Sequence, residues 1–244
     1  MTDSGHSVRT LKFAILEELA SSPKAHKMNL IGRAHEPGAL EHRLKCAFSP
    51  ADRTLAYRAI EGLQSDGLMS PTLGDLIDPE SWMQITKRGE IALERRALDP
   101  LDEKLQAIDP HLVTIRDGAW SAVTSSEPDA LRQAAHSGRE LIDQVLKQAA
   151  PDQKVMPQGW YTADSSSKSG VTRKHRLRYI MQTFRNDESE SNLRVAEKAC
   201  DLVLAIDDKL KALAHARVQP LRTDVEDAMS GAEIALRRVL VGDE

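Results

Sequence analysis

The chain has 244 residues and a formal net charge of -4, with 29% charged and 4% aromatic side chains. A balance so near neutral names no partner by itself, and the few aromatic residues with helical apolar periods exclude a sandwich or barrel in favour of a mostly α protein of two modest domains. Cys46 and Cys200 match no metal or redox spacing, no apolar run approaches the ~20 residues that span a bilayer, and MTDSGHSVRT lacks a signal-peptide core, so a soluble cytoplasmic protein without a membrane partner is expected.

Ser7 can cap a helix that runs to about Ser21, with Val8, Leu11, Ile15 and Leu19 as its apolar stripe and Ser22-Pro23 as its stop. Residues 24–36 read as irregular chain or a short helix. GALEHRLKCAF, from about Pro37, reads as a second helix, Ser49-Pro50 as a tight junction, and ADRTLAYRAIEGLQSDG as a third helix, ended by Gly67 at the C′ position. GLMSP is a short strand, Gly74 and Asp75 form a polar tip, and Trp82, Met83 and Ile85 mark a returning strand. Thr86 caps a last helix, KRGEIALERRAL.

That order resembles a winged helix over residues 1–98, with LAYRAIEGLQSDGLM as recognition helix and start of the wing, and WMQITKRGEIALE as its end and closing helix. In such a domain Arg53, Thr54, Tyr57 and Arg58 would face nucleic acid, and Lys87 and Arg88 would meet phosphates near the wing base. Residues 1–98 carry 13 basic and 13 acidic side chains, a balance that fits a protein-docking or dimerisation module as well as a DNA binder.

Leu98-Asp99-Pro100 is a linker. Residues 101–125 predict one or two helices with Asp109-Pro110 as a start and Trp120 as a core anchor. The stretch Ser126 to Pro151 predicts a core helix: Ser126 and Pro128 at its start, Leu131, Ala135, Gly138, Leu141, Ile142, Val145 and Ala149 as the stripe, and Pro151 as the stop. Its small residues would let another helix approach closely. Residues 151–170 are polar and Ser-rich and read as a mobile loop. Six basic residues and no acidic ones follow in 168–186: Lys168, Arg173, Lys174, Arg176, Arg178 and Arg185. They form either the solvated face of a short helix, whose apolar side is Leu177, Ile180, Met181 and Phe184, or a phosphate-binding strip over which Lys168 could close. Residues 189–217 predict a long helix on which Asp201, Asp208 and His215 recur every seven residues. Thr223 caps a last apolar helix.

No glycine-rich phosphate loop, zinc spacing or nucleophile elbow is present, so no metal or cofactor is expected. His136 and Glu140 at i, i+4 read as an exposed hydrogen-bonded pair, and Asp207 and Asp208 as structural carboxylates that Lys211 neutralises.

AAHSGRELIDQVLKQAAPD, TRKHRLRYIM, IDDKLKALAHARV and the final apolar helix resemble the helical domain of the predicted pPIWI-associating nucleases of bacterial defence loci, over about residues 99–241. The group is also similar to the HEPN helical domains of RNA-cleaving toxins, which use an arginine four to six residues before a histidine on a late helix. Here Lys209 and Lys211 precede His215, and no arginine stands at that place. The resemblance implies an N-terminal winged helix joined to a HEPN-like bundle in 99–244 that acts on DNA or RNA, with a homodimer mate or a protein partner in a defence complex. If the protein is itself a nuclease, His215 would be the general acid/base, Glu140 would orient it, and Lys209, Lys211 or an arginine of 173–178 would stabilise charge on phosphorus. A dimeric transcriptional regulator is the remaining reading.

Overall fold

A computed structural model describes residues 6–33, 35–74, 77–125, 127–184 and 190–241, and the chain is mostly helical with a small antiparallel sheet. Asp75, Ser126 and Arg185 lie outside the described residues, as does the side chain of Phe184. The chain divides into two compact units, Met1–Asp99 and Pro100–Glu244.

The first unit runs α1 (Val8–Ser21), β1 (Ala25–His26), α2 (Lys27–Ile31), β2 (Gly32–Arg33), β3 (Glu36–Pro37), α3 (Ala39–Leu44), α4 (Pro50–Ser65), β4 (Met69–Pro71), β5 (Trp82–Ile85) and α5 (Lys87–Arg95). Ser7 Oγ accepts the Thr10 N–H at 3.1 Å and starts α1 as expected. At α4, Ser49 Oγ takes the Asp52 N–H while the Asp52 carboxylate takes the Ser49 N–H, a reciprocal cap that satisfies two donors at the helix start. The chain leaves that helix through Gly67 at φ 69, a left-handed turn that a β-carbon would strain. β4 and β5 form the expected hairpin, and β1 adds to its far side in the order β1-β5-β4. That third strand is two residues long and leaves no alternating pattern to read in residues 24–36. Leu11, Ile15, Leu30, Leu40, Ile60, Leu63 and Met83 form the core of this unit.

The second unit comprises α6 (Pro100–Ile108), α7 (Pro110–Thr124), α8 (Ala130–Ala149), α9 (Asp152–Val155), α10 (Arg173–Phe184), α11 (Glu190–Ala214) and α12 (Arg222–Leu240). The Asp109 carboxylate caps α7. α8 is the central member, packed against α7, α10, α11 and α12. Its apolar stripe predicts that role, and Gly138 permits it: a β-carbon there would fall 2.3 Å from Met229 Sδ on α12. Pro128 and Asp129 form a turn before α8, so the helix starts at Ala130 rather than near Ser126. α11 ends at Ala214, which leaves His215 in the turn beyond it. α12 begins one residue before Thr223, with Leu221 at its N-cap.

A buried polar network braces this unit. Asp102 is 0% exposed and accepts from Arg116 Nη1 at 2.7 Å; Arg116 Nε and Nη2 donate to both oxygens of Glu233 at 2.7 and 2.8 Å; and Trp120 Nε1 donates to Glu233 at 2.6 Å. Trp120 packs at the edge of the core, so its anchoring role includes this bond.

Candidate functional site in the helical unit

Pro151 ends α8, and the chain then makes the single turn of α9 and a loop before α10. That loop is closed by its own backbone: Asp164 N–H donates to the Gly170 carbonyl, Ser167 N–H to Asp164, and Gly170 N–H to Ser167. The segment expected as a mobile loop thus closes on itself through three backbone bonds, with Lys168 exposed between Ser167 and Gly170. Thr172 then starts α10 through a reciprocal pair, His175 Nδ1 accepting the Thr172 N–H at 3.2 Å and Thr172 Oγ1 accepting the His175 N–H at 3.4 Å. Arg173 and Lys174 therefore occupy the first turn of a twelve-residue helix, where the unpaired N–H groups of the helix end add positive potential.

A cleft of about 930 Å³ lies between this loop, α8, α10 and α11. Asp152 is taken up by Arg176, and Asp143 by Lys147 at 2.6 Å and Arg173 at 3.2 Å. Among the described residues, Lys168 and Lys174 have no carboxylate within ion-pair distance, and Asp208 has no basic partner. Asp164 accepts the Ser166 N–H at 2.8 Å, and this bond first, with the Ser166 side chain, lowers its pKa and keeps it ionised.

Asp207 is the unusual member. It lines the cleft, is 4% exposed, and is flanked by Arg139 Nε and Arg173 Nη1, each at 3.4 Å. Charges meet there, but hydrogen bonds do not: Asp207 Oδ1, Arg139 Nε and Arg173 Nε are buried without a partner. Native proteins leave few such atoms, and each costs about 1–3 kcal/mol when desolvated and unpaired. Burial pushes the Asp207 carboxyl above its ordinary pKa; Arg173 and Arg139 oppose the shift, and Asp208 and Asp143 add to it. The sequence reading of Asp207 as a carboxylate neutralised by Lys211 is corrected: its counter-charges come from α8 and α10, which only the packing brings together. Arg139 was not a candidate in the sequence. The available signal was Asp207 itself, a carboxylate on the buried line of α11 between Val203 and Leu210.

The expected basic strip is divided. Arg173, Lys174, Lys168 and Arg176 all line the cleft, but Arg176 is buried in its wall and donates to the Ala150 carbonyl and to Asp152 as a strut. Arg178 lies 4.4 Å over the Trp160 ring, outside the cleft lining. None of the four residues named for acid/base chemistry lines this cleft. His215 is exposed just past α11, Glu140 accepts from Gln144 at 2.7 Å, Lys209 lies 3.9 Å from Asp224, and Lys211 is exposed. Arg132 Nε donates to the Ala216 carbonyl at 3.0 Å and pins the turn that carries His215.

In the first unit, Thr54, Tyr57 and Arg58 are exposed on α4, and Lys87 and Arg88 are exposed at the start of α5. Arg53 instead turns inward, donating to the carbonyls of Phe48 at 2.7 Å and Arg33 at 3.1 Å, and reaching the buried Glu41 at 3.3 Å.

No group of three or more metal-ligating side chains occurs among the described residues, and no helix among them is long and apolar enough to cross a membrane. A family model described as predicted pPIWI-associating nuclease matches residues 105–239, more than half of the chain and every residue of the cleft. The chain belongs to this family. No curated protein and no solved structure matches it.

Proposed function

We propose that the protein is a nucleic-acid-binding nuclease component of a bacterial defence system, and that its helical unit grips a phosphodiester strand in the cleft beneath the Ser165–Gly170 loop. The carrying observation is the pair Lys168 and Lys174, left without carboxylate partners beside the N-terminus of α10 and Arg173. Cations so placed attract phosphate oxygens, and the helix end contributes in the same sense. The family's own description supplies the partner class, a pPIWI protein; a homodimer is the simpler assembly. The helical unit is read as HEPN-like. The first unit is read as a winged helix from its order of helices and hairpin, with Thr54, Tyr57, Arg58, Lys87 and Arg88 as its outward-facing contacts. Arg53 would act there indirectly, by fixing the start of α4.

A second reading places ribonuclease chemistry at His215, favoured by its exposure on a turn braced by Arg132. Under that reading His215→Ala abolishes cleavage.

The test is a native gel with end-labelled single-stranded RNA, single-stranded DNA and duplex DNA. Lys168→Ala/Lys174→Ala is compared with Arg58→Ala/Lys87→Ala/Arg88→Ala. Loss of two phosphate contacts in the cleft should weaken binding of a single strand and flatten the salt slope by roughly 1.4, at about 0.7 per contact. Unchanged affinity in the cleft variant would sink this assignment. Preference for one duplex sequence, lost only in the second variant, would make the protein a regulator.

A further inference from the structure

The four other carboxylates of the cleft are spoken for or solvated. Asp143 is paired twice, Asp152 is held by Arg176, Asp164 accepts the Ser166 N–H, and Asp208 is exposed on the neighbouring position of α11. Among them Asp207 is buried, lines the cleft and has one oxygen, Oδ1, without a donor. The guanidiniums on its two sides, from different helices, leave their own Nε–H groups unpaired. Three unpaired buried polar atoms in one place form a concentrated deficit; a structural ion pair normally removes such deficits, as Asp102 with Arg116 does here. A buried carboxyl on a cleft wall, set between two fixed cations that do not complete its hydrogen bonds, is the arrangement that proton transfer needs.

We infer that Asp207 is the catalytic general base of the cleft, with Arg139 and Arg173 as its charge partners, and that the strand cleaved is RNA. The inference rests on the cleft being the strand-binding site. RNA is favoured because it carries its own nucleophile: one proton acceptor and fixed cations then suffice. Asp207 takes the proton of a ribose 2′-hydroxyl as that oxygen bonds to the adjacent phosphorus. The bond from phosphorus to the 5′ oxygen breaks, that oxygen takes a proton from solvent water, and Asp207 returns its proton to the hydroxide so formed. The products are a 2′,3′-cyclic phosphate end and a 5′-hydroxyl end. Arg173 and Lys174 face the phosphorus oxygens on which charge accumulates. Burial, with Asp208 and Asp143, raises the pKa of Asp207 above its ordinary value, and Arg173 and Arg139 oppose that rise by favouring the ionised form.

The experiment uses the full chain with a fluorescent single-stranded RNA, the same sequence as DNA, and EDTA throughout. Binding is measured by anisotropy and products on denaturing gels. Wild type should bind both strands, cut only RNA and leave cyclic phosphate ends. Asp207→Asn should keep strand affinity within about threefold and lose cleavage at least ~100-fold, the usual scale for a proton-transfer group. Asp207→Glu should restore part of the rate and move the midpoint of its rise with pH, which a purely structural role would not do. Bound RNA left intact by wild type, or equal cleavage by Asp207→Asn, overturns the inference and leaves the binding reading standing. Absence of strand binding overturns both.

Discussion

Asp102 and Asp207 are both carboxylates with almost no exposed surface, both lie in the helical unit and both face arginine, yet they are held in opposite ways. Asp102 meets Arg116 at 2.7 Å, and the same guanidinium is closed on its other edge by Glu233, which also takes the Trp120 N–H. Asp207 has two arginines at 3.4 Å, an Oδ1 without a donor, and a cleft at its side. The first network fastens α6 and α7 to α12. The second joins three helices loosely and keeps donor and acceptor capacity in reserve. Hydrogen-bond completeness, rather than the presence of an ion pair, separates the two networks.

A large effect that would sharpen this contrast is expected at Glu233. Glu233→Ala removes three bonds at once and leaves Arg116 half-compensated, so unfolding free energy should fall by about 3 kcal/mol, in the range for breaking a buried pair. Urea denaturation followed by circular dichroism would read it, and a loss below about 1 kcal/mol would break the contrast. A smaller effect is expected at Arg173. Its side chain is 31% exposed and its pairs are long, so Arg173→Ala should cost about 1 kcal/mol or less while weakening single-strand binding. The smallest effect is a pH dependence. Because the folded-state pKa of Asp207 is raised above the ordinary 3.8, the folded chain binds more protons than the unfolded chain between those values. The contribution of Asp207 to stability accordingly falls as pH rises through that window. Relative to Asp207→Asn, wild type should lose ground from about pH 4 upward in parallel urea titrations, and equal pH profiles would place the carboxyl in an ordinary environment.

The order of helices was legible because caps and stops are local. Ser7, Ser49, Thr86, Asp109 and Pro151 act within one turn of themselves, and each stands where its pattern predicts. The central place of α8 was legible from its apolar line and the small Gly138. What escaped was non-local. The strand Ala25–His26 exists only by pairing with Met83 and Trp82, and two residues carry no period. The division of the basic segment depends on which side of α10 meets Ala150 and Asp152, so Arg176 became a strut in the cleft wall and Arg178 turned to the Trp160 ring outside the cleft lining. The meeting of Arg139, Arg173 and Asp207 depends on three helices packing together. A carboxylate on the buried line of α11 was the one trace of it in the sequence, as Asp102 between Leu101 and Leu105 was for the other network.

The central claim is that the Asp207 network is a working site and the Asp102 network a brace. It is tested most directly by urea denaturation of Arg116→Met and Asp207→Asn side by side, with wild type as reference. The account predicts a loss of about 3–5 kcal/mol for Arg116→Met, which removes the guanidinium bonds to Asp102 and Glu233, and less than about 1 kcal/mol for Asp207→Asn, whose long contacts contribute little. Equal losses, or a larger loss for Asp207→Asn, would contradict it and make both networks structural.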